Sequence, residues 1–251
     1  MTSNFVINSR CKSYFKICLF AVFLSCYPVT ISAETAPGTI ISFGDSLTEG
    51  CDVYSGQCGW ERSSSMGYQL ELESLLQNSH RNYEVQNFGR GGETARDGLK
   101  RIDSVIVELC NARAEYILLL EGTNDLLHGA RGEDVKFYLS IMIDKSRAHG
   151  LVPLLATLPP DTEPDHRYKD IPLMNEYIRD LASEKGVTLV DLYNKMNPYW
   201  DSFTPGCYGD NLHPNAGGFK AIGGIWFESL ADMISPKFFL YSWLDLLLKK
   251  N

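Results

Sequence analysis

The chain has 251 residues, with 23 basic and 31 acidic side chains and a formal net charge of −8 at pH 7. That acidic balance argues against a nucleic-acid partner, whose phosphates call for clustered Lys and Arg. The length suits one large domain or two small ones, and neither HExxH nor CxxC occurs to suggest a metal site.

Residues 1–33 carry Arg10, Lys12 and Lys16 and no acidic side chain, followed by the apolar run ICLFAVFLSCYPVTI and small residues before Glu34. A basic start, a short apolar core and a small-residue break predict a signal peptide over 1–33, and with it a periplasmic or secreted protein. Two alternatives are an uncleaved membrane anchor and a lipoprotein site at Cys26. A run of fifteen residues that includes Ser25, Pro28 and Thr30 is short for a span, and FLSC matches a lipobox only loosely. Without this segment 20 basic residues face 31 acidic ones, a net charge of −11. Four cysteines then remain: Cys51, Cys58, Cys110 and Cys207. An oxidising compartment permits disulfides. Cys51 and Cys58 lie close in a Gly-containing loop and form a candidate pair, although four cysteines allow three full pairings.

The remainder alternates two periodicities. Short apolar, β-branched runs at TIISF (39–43), YEVQNF (83–88), EYILLL (115–120), LVPLLATL (151–158) and VTLVDL (187–192) predict strands. Between them, GYQLELESLLQN predicts a helix through Leu72, Leu75 and Leu76. Residues 133–149 place Val135, Tyr138, Leu139, Met142 and Ile143 on one helical face, and 172–185 do so with Met174, Tyr177, Ile178 and Leu181 before a stop at Gly186. Strands alternating with helices predict a parallel sheet covered on both faces, in one domain over 34–235. Beyond it lies an apolar tail, 236–251, in which only Ser242 and Asp245 interrupt the run from Phe238 to Leu248. The tail reads as a segment docked on its own domain, with membrane-surface contact as the alternative.

In open α/β sheets ligands bind beyond the carboxyl ends of the strands. The segments leaving those ends are FGDSLTEG, NFGRGGET, EGTNDLLHG, TLPPDTEP and YGDNLHPN. A serine such as Ser46 needs a base within hydrogen-bond reach to act as a nucleophile. Among His80, His128, His149, His166 and His213, His213 follows a carboxylate, Asp210, at a spacing that can fold back onto Nδ1 and leave Nε2 for the serine proton. Gly92 offers an unobstructed backbone N–H and Asn124 a side-chain amide, either of which can donate to an oxyanion. GRGG is no phosphate loop, because GxxxxGK[ST] is absent and Thr94 stands where a dinucleotide fingerprint has its last glycine.

GDSL at 44–47, the Gly92 turn, GTND at 122–125 and DNLHP at 210–214 occur in the order found in the GDSL, or SGNH, hydrolases, which the chain resembles over roughly residues 39–232. The resemblance implies a flavodoxin-like three-layer α/β/α sandwich with a five-stranded parallel sheet, the SGNH hydrolase fold. It implies Ser46 as nucleophile, His213 as base, Asp210 as its orienter, and Gly92, Asn124 and the Ser46 amide as the oxyanion hole. It further implies a serine ester hydrolase working through an acyl-enzyme on carboxylic esters, lipid esters and thioesters included, with a small-molecule or lipid ester as substrate and no metal or organic cofactor. A carbohydrate acetyl-esterase would use the same site. A catalytically idle binding protein on this scaffold is disfavoured by the intact Ser, Gly, Asn, Asp and His set. Leu47, Leu126, Leu127 and the apolar tail lean towards lipid-like acyl chains. The segment 51–67, rich in Gly and Ser, reads equally as pocket wall or surface loop.

Overall fold

The computed structural model describes residues 36–51, 67–109, 113–164, 166 and 168–236. Contacts divide the chain into two units, Met1–Ala36 and Pro37–Asn251, and the second carries everything below. The predicted signal peptide, Cys58, Cys110 and all of the apolar tail except Pro236 lie outside the described residues.

Five strands, β1 (Gly38–Gly44), β2 (Tyr83–Gly89), β3 (Ala114–Leu120), β4 (Val152–Ala156) and β5 (Thr188–Val190), form one sheet in the order β2-β1-β3-β4-β5. Every pairing is parallel, as the strand–helix alternation predicts. All seven residues of β1 are buried, because both faces of a parallel sheet are covered by the helices of its crossovers.

The helices are α1 (Ser46–Glu49), α2 (Tyr68–Asn78), α3 (Ala95–Glu108), α4 (Thr123–Leu127), α5 (Gly132–Ala148), α6 (Ile171–Lys185), α7 (Leu192–Met196), α8 (Trp200–Phe203) and α9 (Ala216–Ala231). On one side α3 packs against α5 and α5 against α6; α2 packs against α9. The periodicity of α5 and α6 is fulfilled at Val135, Leu139, Met142, Ile143, Met174, Ile178 and Leu181, which are buried, while Tyr138 and Tyr177 are half-buried. Gly186 caps α6 in the left-handed conformation, at φ 56° and ψ 48°.

Two helices had no clear apolar signature in the sequence. In α3 the buried stripe is narrow, Ile102, Val105 and Ile106 after a start at Ala95 and Gly98. In α9 glycines interrupt the pattern, and one has a packing cause: a Cβ on Gly223 would stand 2.7 Å from the Tyr68 carbonyl oxygen. Gly223 therefore lets α9 approach α2 closely, and Tyr68 and Trp226 meet there with ring centroids 6.2 Å apart. The fourth and fifth strands are shorter than predicted. Leu158 leaves the ladder because the buried Asn175 amide takes both its N–H, at 2.7 Å, and its carbonyl, at 2.9 Å. Asp191 leaves β5 to cap α7, accepting from Asn194 N.

The order β2-β1-β3 places a topological switch point beside β1, since the chain crosses to one side after β1 and to the other after β2. Gly44 pairs with Gly89 on one side and with Leu120 on the other. The loops bearing Ser46, Gly92 and Asn124 therefore leave the sheet side by side, where ligands bind in folds of this kind.

Candidate active site

Ser46 is the first residue of α1. Asp45 caps that helix, its Oδ1 accepting from Leu47 N at 2.9 Å. The turn sits tightly against the end of β2, where a Cβ on Gly89 would lie 1.9 Å from Glu49 N, so only glycine fits there. The loop after β2 is fastened to the same turn: Arg90 N donates to Gly44 O at 2.9 Å, Gly91 N to Glu49 Oε2 at 2.8 Å, and Asn87 Nδ2 to Glu49 O at 3.0 Å.

Ser46 is 7% exposed. His213 Nε2 lies 2.9 Å from its Oγ, and His213 Nδ1 lies 2.8 Å from Asp210 Oδ2. The D-N-L-H spacing works because Asp210 folds its own turn: Oδ1 accepts from Leu212 N at 3.1 Å and from His213 N at 2.8 Å, leaving Oδ2 for the imidazole. With Nδ1–H donating to Asp210, Nε2 is the acceptor for the serine hydroxyl. Burial works against ionisation of Asp210, but hydrogen bonds from the His213 side chain and backbone outweigh it and hold the carboxyl below its ordinary range. In this geometry imidazole can take a proton from Ser46 while the carboxylate stabilises the cation that results.

The turn is braced from several directions. Asn211 N donates to Glu163 Oε2 at 2.8 Å, and its carbonyl accepts from Thr162 N and from Trp200 Nε1, both at 3.2 Å. The Tyr208 ring meets the His213 ring edge-on, 4.8 Å between centroids. These bracing residues were not singled out from the sequence, where nothing local marks them. His166, which reads as part of a charged loop, is paired instead: its Nδ1 lies 2.8 Å from the buried Asp161.

Gly92 has φ +75°, a conformation suited to glycine, and is exposed. Asn124, near the start of α4, is buried; its Nδ2 donates to Glu93 O at 2.8 Å, which leaves its second N–H to donate elsewhere. Asp125 Oδ2 accepts from Ala95 N at 2.7 Å, linking α4 to the start of α3. Asp45 beneath the serine is fully buried, and burial raises its pKa from 3.8 to about 7 against the opposing hydrogen bond from Leu47. Among the described residues no group of three or more His, Cys, Asp or Glu side chains is arranged to hold a metal ion.

One expectation is corrected. Cys51 is bonded to Cys207, 156 positions away, and not to Cys58. Once α1 has turned, Cys51 is buried, and it meets the loop leading to Asp210. Leu47 and Leu126 are also buried, 0% and 5% exposed. Leu47 is therefore a core residue, while Leu126 borders a cavity of about 260 Å³ with Leu173, Met174 and Tyr177.

Comparison with known proteins agrees with this layout. A family model described as GDSL-like Lipase/Acylhydrolase family matches residues 42–221. A solved lipase/acylhydrolase from Enterococcus faecalis superposes with a TM-score of 0.66 at 20% identity, covering 80% of this chain and 100% of that one. A putative arylesterase from Agrobacterium tumefaciens str. C58 gives 0.60 at 23% identity, covering 78% and 100%. In sequence, the chain is 26% identical over 130 residues to YqeF, an uncharacterized lipoprotein of Bacillus subtilis (strain 168), over 49% of each chain. The chain thus spans about half the length of the curated relative it matches.

Proposed function

The chain belongs to the GDSL-like lipase/acylhydrolase family, and on that premise we propose that it is a serine ester hydrolase that works through an acyl-enzyme. The observation that carries this reading is the position of His213, 2.9 Å from Ser46 Oγ on one side and 2.8 Å from Asp210 on the other. Ser46 Oγ attacks the ester carbonyl carbon as its proton passes to His213 Nε2. The carbonyl oxygen becomes an oxyanion, for which Gly92 N, Asn124 Nδ2 and Ser46 N are the donors. As the tetrahedral intermediate collapses, the bond to the leaving alcohol breaks and His213 returns the proton to that alcohol. Water then enters, His213 takes its proton, and the acid departs with Ser46 restored.

The substrates are carboxylic esters of small molecules or lipids, with thioesters within reach of the same chemistry. Leu47, being in the core, lends no support to a lipid-like acyl group. We place the protein outside the cytoplasm, a reading supported by the Cys51–Cys207 disulfide, by the basic and apolar segment 1–33, and by the lipoprotein relative. A serine-directed alkyl phosphonate tests the assignment. It is expected to add its mass to the peptide holding Ser46 and to extinguish activity in step; labelling at another residue, with activity lost, overturns it.

A further inference from the structure

Directly below the two loops that carry Gly92 and Asn124 lies a charge problem that the hydrolytic mechanism does not use. Glu121 follows the last residue of β3 and is 0% exposed. Among the described residues neither of its carboxylate oxygens has a hydrogen-bond donor. Glu93, also buried, projects into the same space: a Cβ on Gly98 of α3 would touch Glu121 Oε1 at 3.0 Å and Glu93 Oε1 at 3.3 Å. A cation pairs with Glu93 and none is paired with Glu121 among the described residues. Arg101 Nε lies 3.1 and 2.9 Å from the two oxygens of Glu93, its Nη2 also bonds Glu93 Oε1, and the same Nη2 donates to Phe88 O at 3.0 Å. The guanidinium is fixed further by the Phe43 ring, 4.2 Å away.

Two buried carboxylates against one committed arginine leave one negative charge unbalanced, which a buried site does not tolerate. Asp45, at the cap of α1, and Asp125, in α4, add to the repulsion at Glu121. A single proton resolves it, because a protonated Glu121 becomes a donor and the Glu93 carboxylate is the acceptor at hand. Burial first, then the charges of Asp45 and Glu93 and a hydrogen bond to Glu93, drive Glu121 well above the ordinary carboxyl range.

The consequence reaches the oxyanion donors. Glu93 is the neighbour of Gly92, and its carbonyl holds Asn124 Nδ2 at 2.8 Å. Glu121 stands three residues before Asn124. We propose that Glu121 is a positioning residue: it carries a proton, donates it to the Glu93 carboxylate, and so makes a second rung, beside the Asn124–Glu93 bond, that locks the loop of Gly92 to the loop of Asn124. The inference rests on the serine-hydrolase reading above, and it predicts that the rung sets kcat while substrate affinity is untouched.

The test compares Glu121→Gln, which keeps the shape and a donor, with Glu121→Met, which keeps the length and has none. In the full-length protein, Glu121→Met is expected to lose roughly tenfold to a hundredfold in kcat, the scale of a misplaced group, with KM within about twofold of wild type. Glu121→Gln should restore most of that kcat. Wild-type kcat should also fall on the alkaline side, as Glu121 loses its proton against Asp45, Glu93 and Asp125, and that fall should vanish in Glu121→Gln. The infrared C=O band of a protonated carboxylic acid should disappear from wild type to Glu121→Gln, a readout that stands even where Glu121→Met does not fold. Equal kcat in the Gln and Met variants, or no acid band lost on substitution, overturns the proposal. A wild type that hydrolyses no ester and takes no phosphonate at Ser46 refutes the serine-hydrolase reading instead, and the infrared band still reports on the pair.

Discussion

Cys51 is bonded to Cys207, so the segment that begins with Ser46 is joined covalently to the loop that leads into Asp210 and His213. A bridge across 156 positions removes much freedom from the unfolded chain, and links of that kind contribute roughly 2–5 kcal/mol. Cys207→Ser, or a thiol reductant acting on the native protein, is therefore expected to lower the melting temperature by several degrees and to reduce ester hydrolysis, as Ser46 and His213 lose their common restraint. Thermal melts with and without reductant, checked by thiol titration, measure this. Complete reduction with no change in either quantity would contradict it.

Asp210 acts on the ester only through His213. Because its hydrogen bonds hold the carboxyl below its ordinary range, it stays ionised through mildly acid and neutral pH and keeps the imidazole in one tautomer. Asp210→Asn should lower kcat on the order of 10³–10⁴-fold and leave KM nearly unchanged. Steady-state kinetics at pH 7 decide the point, and a variant whose loss falls on KM instead would show that Asp210 shapes the pocket.

Asp45 links the site to stability. Its carboxyl ionises at 3.8 in the unfolded chain and at about 7 when buried, so the folded state binds the proton more tightly. That contribution is fully present below pH 3.8 and is lost as pH rises towards about 7, at about 1.4 kcal/mol for each pH unit across the window. Asp45→Asn keeps the oxygen that accepts from Leu47 N and has no proton to lose. Relative to wild type it should gain unfolding free energy as pH rises from 4 to 7. Urea titrations of both proteins at several pH values test this, and a difference independent of pH contradicts it.

How much of this was legible in the sequence differs from element to element. GDSL and DNLHP could be read because each is local: Asp45 caps the turn that starts with Ser46, and Asp210 folds back three residues onto His213. The helices α5 and α6 could be read because a single face is buried. The helix α9 could not, since its glycines serve a close approach to α2 that no period reveals. Cys207 could not be chosen as the partner of Cys51, because the contact is made by the meeting of two segments 156 positions apart in the chain. Glu93 and Glu121 carry the residue type of a solvated surface, and only the packing of α3 over β3 shows them buried together.

The most direct measurement is the hydrolysis rate of Ser46→Ala on a small soluble ester. The hydroxyl sits in a capped turn whose hydrogen bonds are made by Asp45 and the backbone, so the variant should fold and melt as the wild type does. Its kcat should fall by roughly four or more orders of magnitude, as members of a catalytic unit do when removed singly. A folded Ser46→Ala protein that keeps most of its activity would contradict the account, because Ser46 would then not be the nucleophile.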